Sequence, residues 1–192
     1  MIVLLFVASA LGLIVASLCR RLAVLRNAGK DAFAQIDVQL RRRYDLIPGL
    51  VETARRHMPH ERETLQAVIV ARNSAVQAER RAAVKPTDAT AILQLSVAER
   101  ALAEALTRLF ARSRSYPELR ADPGMRVATD ELKGLQHELS LSRQAYNDAL
   151  TVYNTMRRTF PADHFADTFG FVEAPLLAIE KPSDRAPARM SA

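Results

Sequence analysis

The residue types best suited to metal binding or acid–base chemistry lie close together in "HMPHERE". His57 and His60 stand three residues apart, with Glu61 and Glu63 beside them. Two histidines at this spacing share a helix face, but Pro59 places them at a predicted hairpin and the sequence supplies no clear third ligand. We therefore expect a solvated, capped helix corner here, without a bound metal or cofactor.

A second polar cluster, "QIDVQLRRRYDLIPGLVE", lies at residues 35–52 inside a helical pattern. Asp37 and Arg41 are four residues apart, as are Arg41 and Asp45. Pairs at this spacing can form ion pairs that contribute about 0.3 to 0.5 kcal/mol each on a helix surface. Arg43 faces away from Arg41, so we expect one arginine to reach the Tyr/Asn face of the fourth predicted helix.

Two hypotheses explain this cluster. In the first, its side chains form a polar network that fixes the alignment of the helices; in the second, they form a contact surface for another chain or for anionic head groups. A straight helix places Arg41 about 24 Å beyond the apolar amino-terminal segment, farther than the screening length of about 8 to 10 Å, which disfavours lipid contact. The residues assigned to this network or surface are Asp37, Gln39, Arg41, Arg42, Arg43, Tyr44, Asp45, Pro48, Arg143, Tyr146, Asn147, Tyr153 and Asn154.

The last four of these residues form a repeat in "AYNDALTVYN", where Tyr-Asn recurs after seven residues. A seven-residue interval returns both pairs to one helix face, and an asparagine near a helix seam commonly specifies alignment at a cost in stability. We therefore favour a structural role over ligand binding for this repeat.

The sequence lacks the motifs of common catalytic sites. It contains no nucleophile elbow, no phosphate-binding loop, no HExxH pattern and no recognisable nucleic-acid-binding module. Its single cysteine, Cys19, excludes an internal disulfide and a cysteine-based metal cluster. The net charge of +6 suits an acidic partner such as phospholipid, although an ordinary soluble surface also carries such a charge. We expect a non-catalytic protein that acts through a protein partner or self-association and binds no nucleic acid.

Residues 1–19, "MIVLLFVASALGLIVASLC", carry no charged side chain. At about 1.5 Å per residue, an apolar helix of this length covers roughly 27 Å of a bilayer core that is about 30 Å thick. A cleaved signal peptide would place its charges before the apolar run, and a lipoprotein would place a small residue where Leu18 stands. The sequence therefore favours a retained single-pass transmembrane anchor over residues 1–25.

The basic residues after this segment determine its expected orientation. Only the α-amino group precedes the apolar run, whereas Arg20, Arg21, Arg26 and Lys30 follow it. The positive-inside rule then places the amino terminus outside and the body in the cytoplasm. The same four residues are the expected lipid contacts, so an alternative function is that of a membrane-surface or envelope-stress factor that contacts anionic lipid through them.

Apolar residues recur at steps of three and four through the rest of the chain, the pattern of amphipathic helices. The first stripe passes through Pro48, where we expect a kink because proline removes a backbone donor and crowds the carbonyl of Tyr44. Pro59 suits the first turn of the next helix. Further helices are predicted over about residues 60–83, 88–112 and 126–159, with "SRSYPELRADPG" as a loop before the last.

Amphipathic helices cannot bury their apolar stripes alone and must pack against one another. We therefore predict an all-α protein in which the transmembrane helix continues into an antiparallel bundle of about four long helices over residues 26–171. Residues 172–192 end in a polar, proline-rich stretch, and we expect a disordered tail there.

Several long motifs together resemble the LemA family of bacterial membrane-anchored helical proteins. They are "AQIDVQLRRRYDLIPGLVE" after an apolar segment, "VARNSA", "SYPELRAD", "SRQAYNDALTVYNTMRRTFP" and "FADTFGF". The resemblance implies a long-helix bundle anchored in the inner membrane, and a general biochemical role that is not established. Two positions depart from the family pattern: Gly49 stands where asparagine is usual, and Gln136 where an acidic residue is common.

Overall fold

The computed structural model describes residues 1–178, without the side chains of residues 4, 7 and 8. This part of the chain contains five α-helices and one 3-10 helix, and no strand. The all-α prediction is therefore confirmed. The elements are α1 (Ile2–His57), α2 (Arg62–Val84), α3 (Ala89–Ser113), α4 (Pro117–Ala121), α5 (Pro123–Arg158) and the 3-10 helix Ala162–His164.

The four long helices form a bundle in which α1 packs against α5 on one side and α2 on the other, and α2 packs against α3. Gly29 permits a close approach of α1 to α5, because a Cβ atom there would overlap the side chain of Leu150. The helices are held by one apolar core, to which the predicted stripe of α1 contributes fully buried side chains, among them Phe33, Ile36, Leu40, Tyr44, Ile47, Val51, Ala54 and Met58.

The amino-terminal half of α1 extends beyond this core. Among the described side chains, Leu22 is the first buried apolar one, whereas Ile2, Phe6 and Leu13 are each more than 70% exposed. The helix runs without a break from Ile2 through Pro48 to His57. Among the described residues, which leave out the side chains of residues 4, 7 and 8, no helix is long and apolar enough to cross a bilayer.

Three local predictions differ from the structure. The segment before α5 is not wholly a loop, because Pro117 begins the short helix α4 and Pro123 begins α5, both at positions where proline needs no backbone donor. Pro59 lies in the turn before α2 rather than in its first turn, since α2 begins at Arg62. Residues 172–178, assigned to a disordered tail, pack against α5; the rest of that predicted tail lies outside the described residues.

Candidate functional site

Tyr44 and Arg43 of α1 meet a carboxylate of α3 inside the bundle. Nη1 of Arg43 donates to Oε2 of Glu99 at 2.7 Å, and the Tyr44 hydroxyl donates to Oε1 at 2.7 Å. The Glu99 side chain is 0% exposed and that of Arg43 is 9% exposed. Arg43 thus binds α3. Because a buried charge is costly unless it is paired and hydrogen-bonded, these three groups require one another.

Burial shifts the pKa values of the ionisable side chains in and beside this network. Burial, and next the adjacent Glu99 carboxylate, raise the pKa of Tyr44 far above its ordinary value, so the phenol stays protonated and remains a donor. Arg143 of α5 lies near the same groups; burial lowers its pKa, and the attraction of Glu99 opposes that effect. Glu99 therefore joins α3 to α1 directly, and its charge also favours the charged form of Arg143 on α5.

Pro48 creates a second polar contact of Tyr44. In an α-helix the N–H of residue 48 would donate to the carbonyl of residue 44, but proline has no N–H, so the Tyr44 carbonyl loses its helical partner. Nε of Arg72, on α2, donates to that carbonyl at 2.9 Å. An arginine from the neighbouring helix thus replaces the backbone donor that Pro48 removes.

A separate carboxylate pair lies between α1 and α2. Nη2 of Arg41 lies 3.0 Å from Oδ2 of Asp37 and 3.3 Å from Oε1 of Glu79, whose side chain is only 2% exposed. The predicted Asp37–Arg41 ion pair is therefore present. Burial, followed by a hydrogen bond to Asp37, raises the pKa of Glu79 to about 7. Near neutral pH this pair can hold one proton between two carboxyl groups.

The asparagines of the Tyr-Asn repeat bind the segment that follows α5. Nδ2 of Asn154 donates to the Ala174 carbonyl at 2.8 Å, and its Oδ1 accepts from the Ala174 N–H at 3.0 Å. Asn147 makes the same two bonds to Leu177, at 3.3 and 2.9 Å. Seven helical residues span about 10.5 Å and three extended residues about 10 Å, so the two spacings match. The repeat is a clamp for an extended segment rather than a seam between helices.

The tyrosines of the repeat complete this clamp. The Tyr153 hydroxyl donates to the Val172 carbonyl at 2.8 Å. The Tyr146 hydroxyl donates to the Pro86 carbonyl, between α2 and α3, at 2.7 Å and lies 3.2 Å from the Pro175 carbonyl. Residues 172–177 are thereby tied both to α5 and to the α2–α3 turn.

The histidine corner contains structural contacts. Nε2 of His57 lies 3.4 Å from Asp122, whose other carboxylate oxygen caps α5 by accepting from the Met125 N–H at 3.0 Å. The hydroxyl of Thr64 donates to Glu61 at 2.9 Å. Among residues 1–178, no group of three or more His, Cys, Asp or Glu side chains is arranged to hold a metal ion.

The remaining predicted residues are distributed along α1. Arg42 and Asp45 are exposed and Gln39 is half-buried. Of the four basic residues after the apolar segment, Arg20, Arg21 and Lys30 are exposed. Arg26 instead lies with its guanidinium carbon 5.1 Å from the centre of the Phe171 ring, so part of its surface is engaged within the protein.

A groove of about 810 Å³ opens between α3 and α5. Its floor contains the buried side chains of Leu106, Met125 and Leu132, and Arg43 of the buried network lies at its base. Its other lining residues are Ala103, Thr107, Phe110, Ser113, Arg120, Arg126, Thr129, Asp130, Lys133 and Gln136. No sequence pattern predicts this groove, because it depends on how far apart two helices lie.

The sequence model of the LemA family matches residues 32–190. The chain belongs to the LemA family. A comparison with curated proteins found no match. The LemA motifs quoted above coincide with the polar contacts of the bundle: "VARNSA" contains Arg72, and the motif around the Tyr-Asn repeat contains the clamp. Of the two departures from the family pattern, Gly49 faces open space, and Gln136 lies on the wall of the groove.

Two central residues of this LemA bundle were missed at the sequence level. Glu79 falls on the inward stripe of α2 with Ala75 and Ala82, and Glu99 on that of α3 with Leu95. A charged residue on an otherwise apolar stripe is the signal that could have revealed them, because such a residue must find a partner inside the bundle.

Replacement of Glu79 by glutamine should change how stability depends on pH. The pKa of Glu79 rises from an ordinary value of 4.5 to about 7 on folding, so its stabilising protonation is complete below pH 4.5 and is lost as the pH rises toward 7. In Glu79→Gln this loss is absent. The unfolding free energy of the variant minus that of the wild type should therefore rise by up to about 3 kcal/mol from pH 4.5 to pH 7.5. Urea titration at each pH measures this difference. A difference independent of pH would contradict this assignment.

Replacement of Asn154 by alanine should release the segment that it clamps. The variant leaves the N–H and carbonyl of Ala174 without their partner, and two such bonds contribute about 1 to 3 kcal/mol. Hydrogen exchange at the Ala174 amide should therefore be about 10- to 100-fold faster. Thr155→Ala, on the exposed side of the same turn, is the control. Equal exchange rates in the two variants would show that the clamp does not hold the segment.

Proposed function

We propose that this LemA-family protein is a membrane-anchored, non-catalytic adaptor that binds an acidic amphipathic helix of a partner protein between α3 and α5. The observation that supports the proposal is the groove, which combines a buried apolar floor with a basic rim.

The shape of the groove suits a helix. Its walls extend over residues 103–113 of α3 and 125–136 of α5. At about 1.5 Å per residue these stretches are roughly 15 to 17 Å long, or three helical turns. A third helix could lay apolar side chains spaced three and four residues apart on Leu106, Met125 and Leu132, as in other helix-in-groove complexes.

The charge of the groove suits an acidic occupant. Arg120, Arg126 and Lys133 are exposed on its rim, where Asp130 pairs with Lys133 at 2.9 Å. Arg43 at the base is already bound to Glu99, so its charge is compensated within the protein. The rim therefore retains a positive balance, which would steer and orient an acidic partner.

The anchor part of the proposal rests on the amino-terminal segment. The complete sequence from Met1 to Cys19 carries no charge, and α1 begins at Ile2. Its exposed apolar side chains, such as Phe6 and Leu13, would be covered by lipid. The basic residues that follow favour a cytoplasmic body. A reporter fused after Ala192 tests that side, and periplasmic activity would contradict it.

Site-specific photocrosslinking in cells tests the adaptor function. A photoreactive residue in place of Thr107, exposed on the α3 wall, should crosslink to one protein. Mass spectrometry of the crosslinked peptide should identify an acidic segment with apolar residues at helical spacing. The double variant Arg126→Glu, Lys133→Glu should abolish this crosslink because it reverses the charge of the rim.

The matched control is the double variant Arg62→Glu, Arg80→Glu, which reverses two exposed charges on α2 outside the groove. It should leave the crosslink unchanged. A crosslink to a second copy of this chain would favour self-association instead. A crosslink that resists charge reversal, or no crosslink, would contradict the proposed partner.

A further inference from the structure

We propose that the loop of residues 159–171 is a second membrane contact, with the rings of Phe160 and Phe169 inserted into the head-group layer of the bilayer. This inference rests on the proposed anchor and adds a lipid-binding surface made by the carboxyl-terminal part of the chain.

The loop packs beside the first turns of the bundle. The 3-10 helix contacts α1, and Arg26 stacks on Phe171 at 5.1 Å. Gly29 of α1 lies against Leu150 of α5, so the chain that follows Arg158 reaches the turns of α1 that precede Gly29. The loop therefore lies at the end of the bundle from which the apolar segment emerges.

Two aromatic rings of the loop point away from this core. Phe160 is 76% exposed and Phe169 is 53% exposed. Phenylalanine rings beside lysine and arginine side chains are typical of segments that lie in a membrane interface. Gly170, at a φ of 73°, supports the turn that follows Phe169.

The loop is held in place before any contact with lipid. Nε of Arg157 donates to the Phe171 carbonyl at 2.7 Å, and the same guanidinium pairs with Asp167. The N–H of Phe171 donates to the Ala166 carbonyl at 2.9 Å. A loop fixed in this way loses little conformational freedom when it binds a surface.

The charges of the loop are compatible with an anionic surface. Its acidic groups have partners, Asp167 with Arg157 and Asp163 with His164, and the neighbouring Glu173 pairs with Arg158. At the same end of the bundle, α1 presents the exposed cations Arg20, Arg21 and Lys30. This end of the bundle therefore combines exposed cations, which can bind anionic head groups, with the rings of Phe160 and Phe169, which can enter the hydrocarbon layer below them.

The level of the loop matches the head-group layer. Leu22 and Arg26 follow Cys19 by three and seven residues, or about 4.5 and 10.5 Å along α1. Each polar layer of a bilayer is roughly 5 to 8 Å thick beyond its hydrocarbon core. If Met1–Cys19 spans that core, the loop beside Leu22 and Arg26 lies where an aromatic ring reaches the acyl boundary.

Tryptophan fluorescence can test this contact because the natural sequence contains no tryptophan. We would prepare the full-length chain with Phe160→Trp or Phe169→Trp and reconstitute it in vesicles that contain phosphatidylglycerol and brominated lipids. Emission from both variants should shift to the blue, and it should be quenched by lipids whose acyl chains are brominated near the head groups. Val127→Trp, exposed at the far end of α5, should show neither effect.

A fourth variant, Leu11→Trp, separates the loop from the anchor. Quenching of Leu11→Trp by deep bromines without quenching of either loop tryptophan would keep the anchor and overturn the loop contact. No quenching at position 11 with quenching in the loop would overturn the anchor and support the loop. No quenching at any position would overturn both.

Discussion

Tyr44 ties three helices of the bundle together, and the position of α3 depends on that residue and its neighbour. Its hydroxyl binds Glu99 of α3, its carbonyl binds Arg72 of α2, and Arg43 beside it completes the partners of Glu99. The constraint behind these contacts is that a polar group removed from water must be paired. Because the buried Glu99 carboxylate needs partners from α1, α3 must approach α1 at Tyr44. Because Pro48 leaves the Tyr44 carbonyl without a helical donor, α2 must approach α1 at the same residue.

This arrangement also shapes the groove. Arg43 contacts Glu99 at the centre of the bundle and lies at the base of the space between α3 and α5. The same ion pair that fixes α3 against α1 therefore forms the polar end of an otherwise apolar floor. A buried ion pair adds little net stability compared with apolar packing, but removing one partner typically costs about 3 to 5 kcal/mol. Such a pair is better suited to fixing an alignment than to increasing stability.

Periodicity predicted the parts of the structure that depend on local sequence. The stripe of α1 and the Asp37–Arg41 pair both follow from spacings of three and four residues, and the structure contains both of them. The Tyr-Asn repeat was recognised as structural, but its partner is the segment 172–177, which has no periodic signal. Local spacing cannot show which distant segment fills a row of hydrogen-bonding groups.

The buried carboxylates and the groove show the same limit. Glu79 and Glu99 resembled ordinary surface charges until the inward faces of α2 and α3 were known. The groove depends on the distance between two helices, which is set by interior contacts far apart in the sequence. Predicted residues and observed contacts therefore agree best within α1 and least between helices.

A double-mutant cycle between Pro48 and Arg72 tests most directly whether the Tyr44 carbonyl, left without a helical donor by Pro48, binds α2 through Arg72. In the wild type, Arg72→Met removes the only side-chain donor described for the Tyr44 carbonyl and should cost about 1.5 to 3 kcal/mol of unfolding free energy. In Pro48→Ala, the new N–H of residue 48 can donate to that carbonyl, so the same replacement should cost at least about 1 kcal/mol less. Equal costs in both backgrounds, measured by urea unfolding of the full-length chain, would contradict the claim.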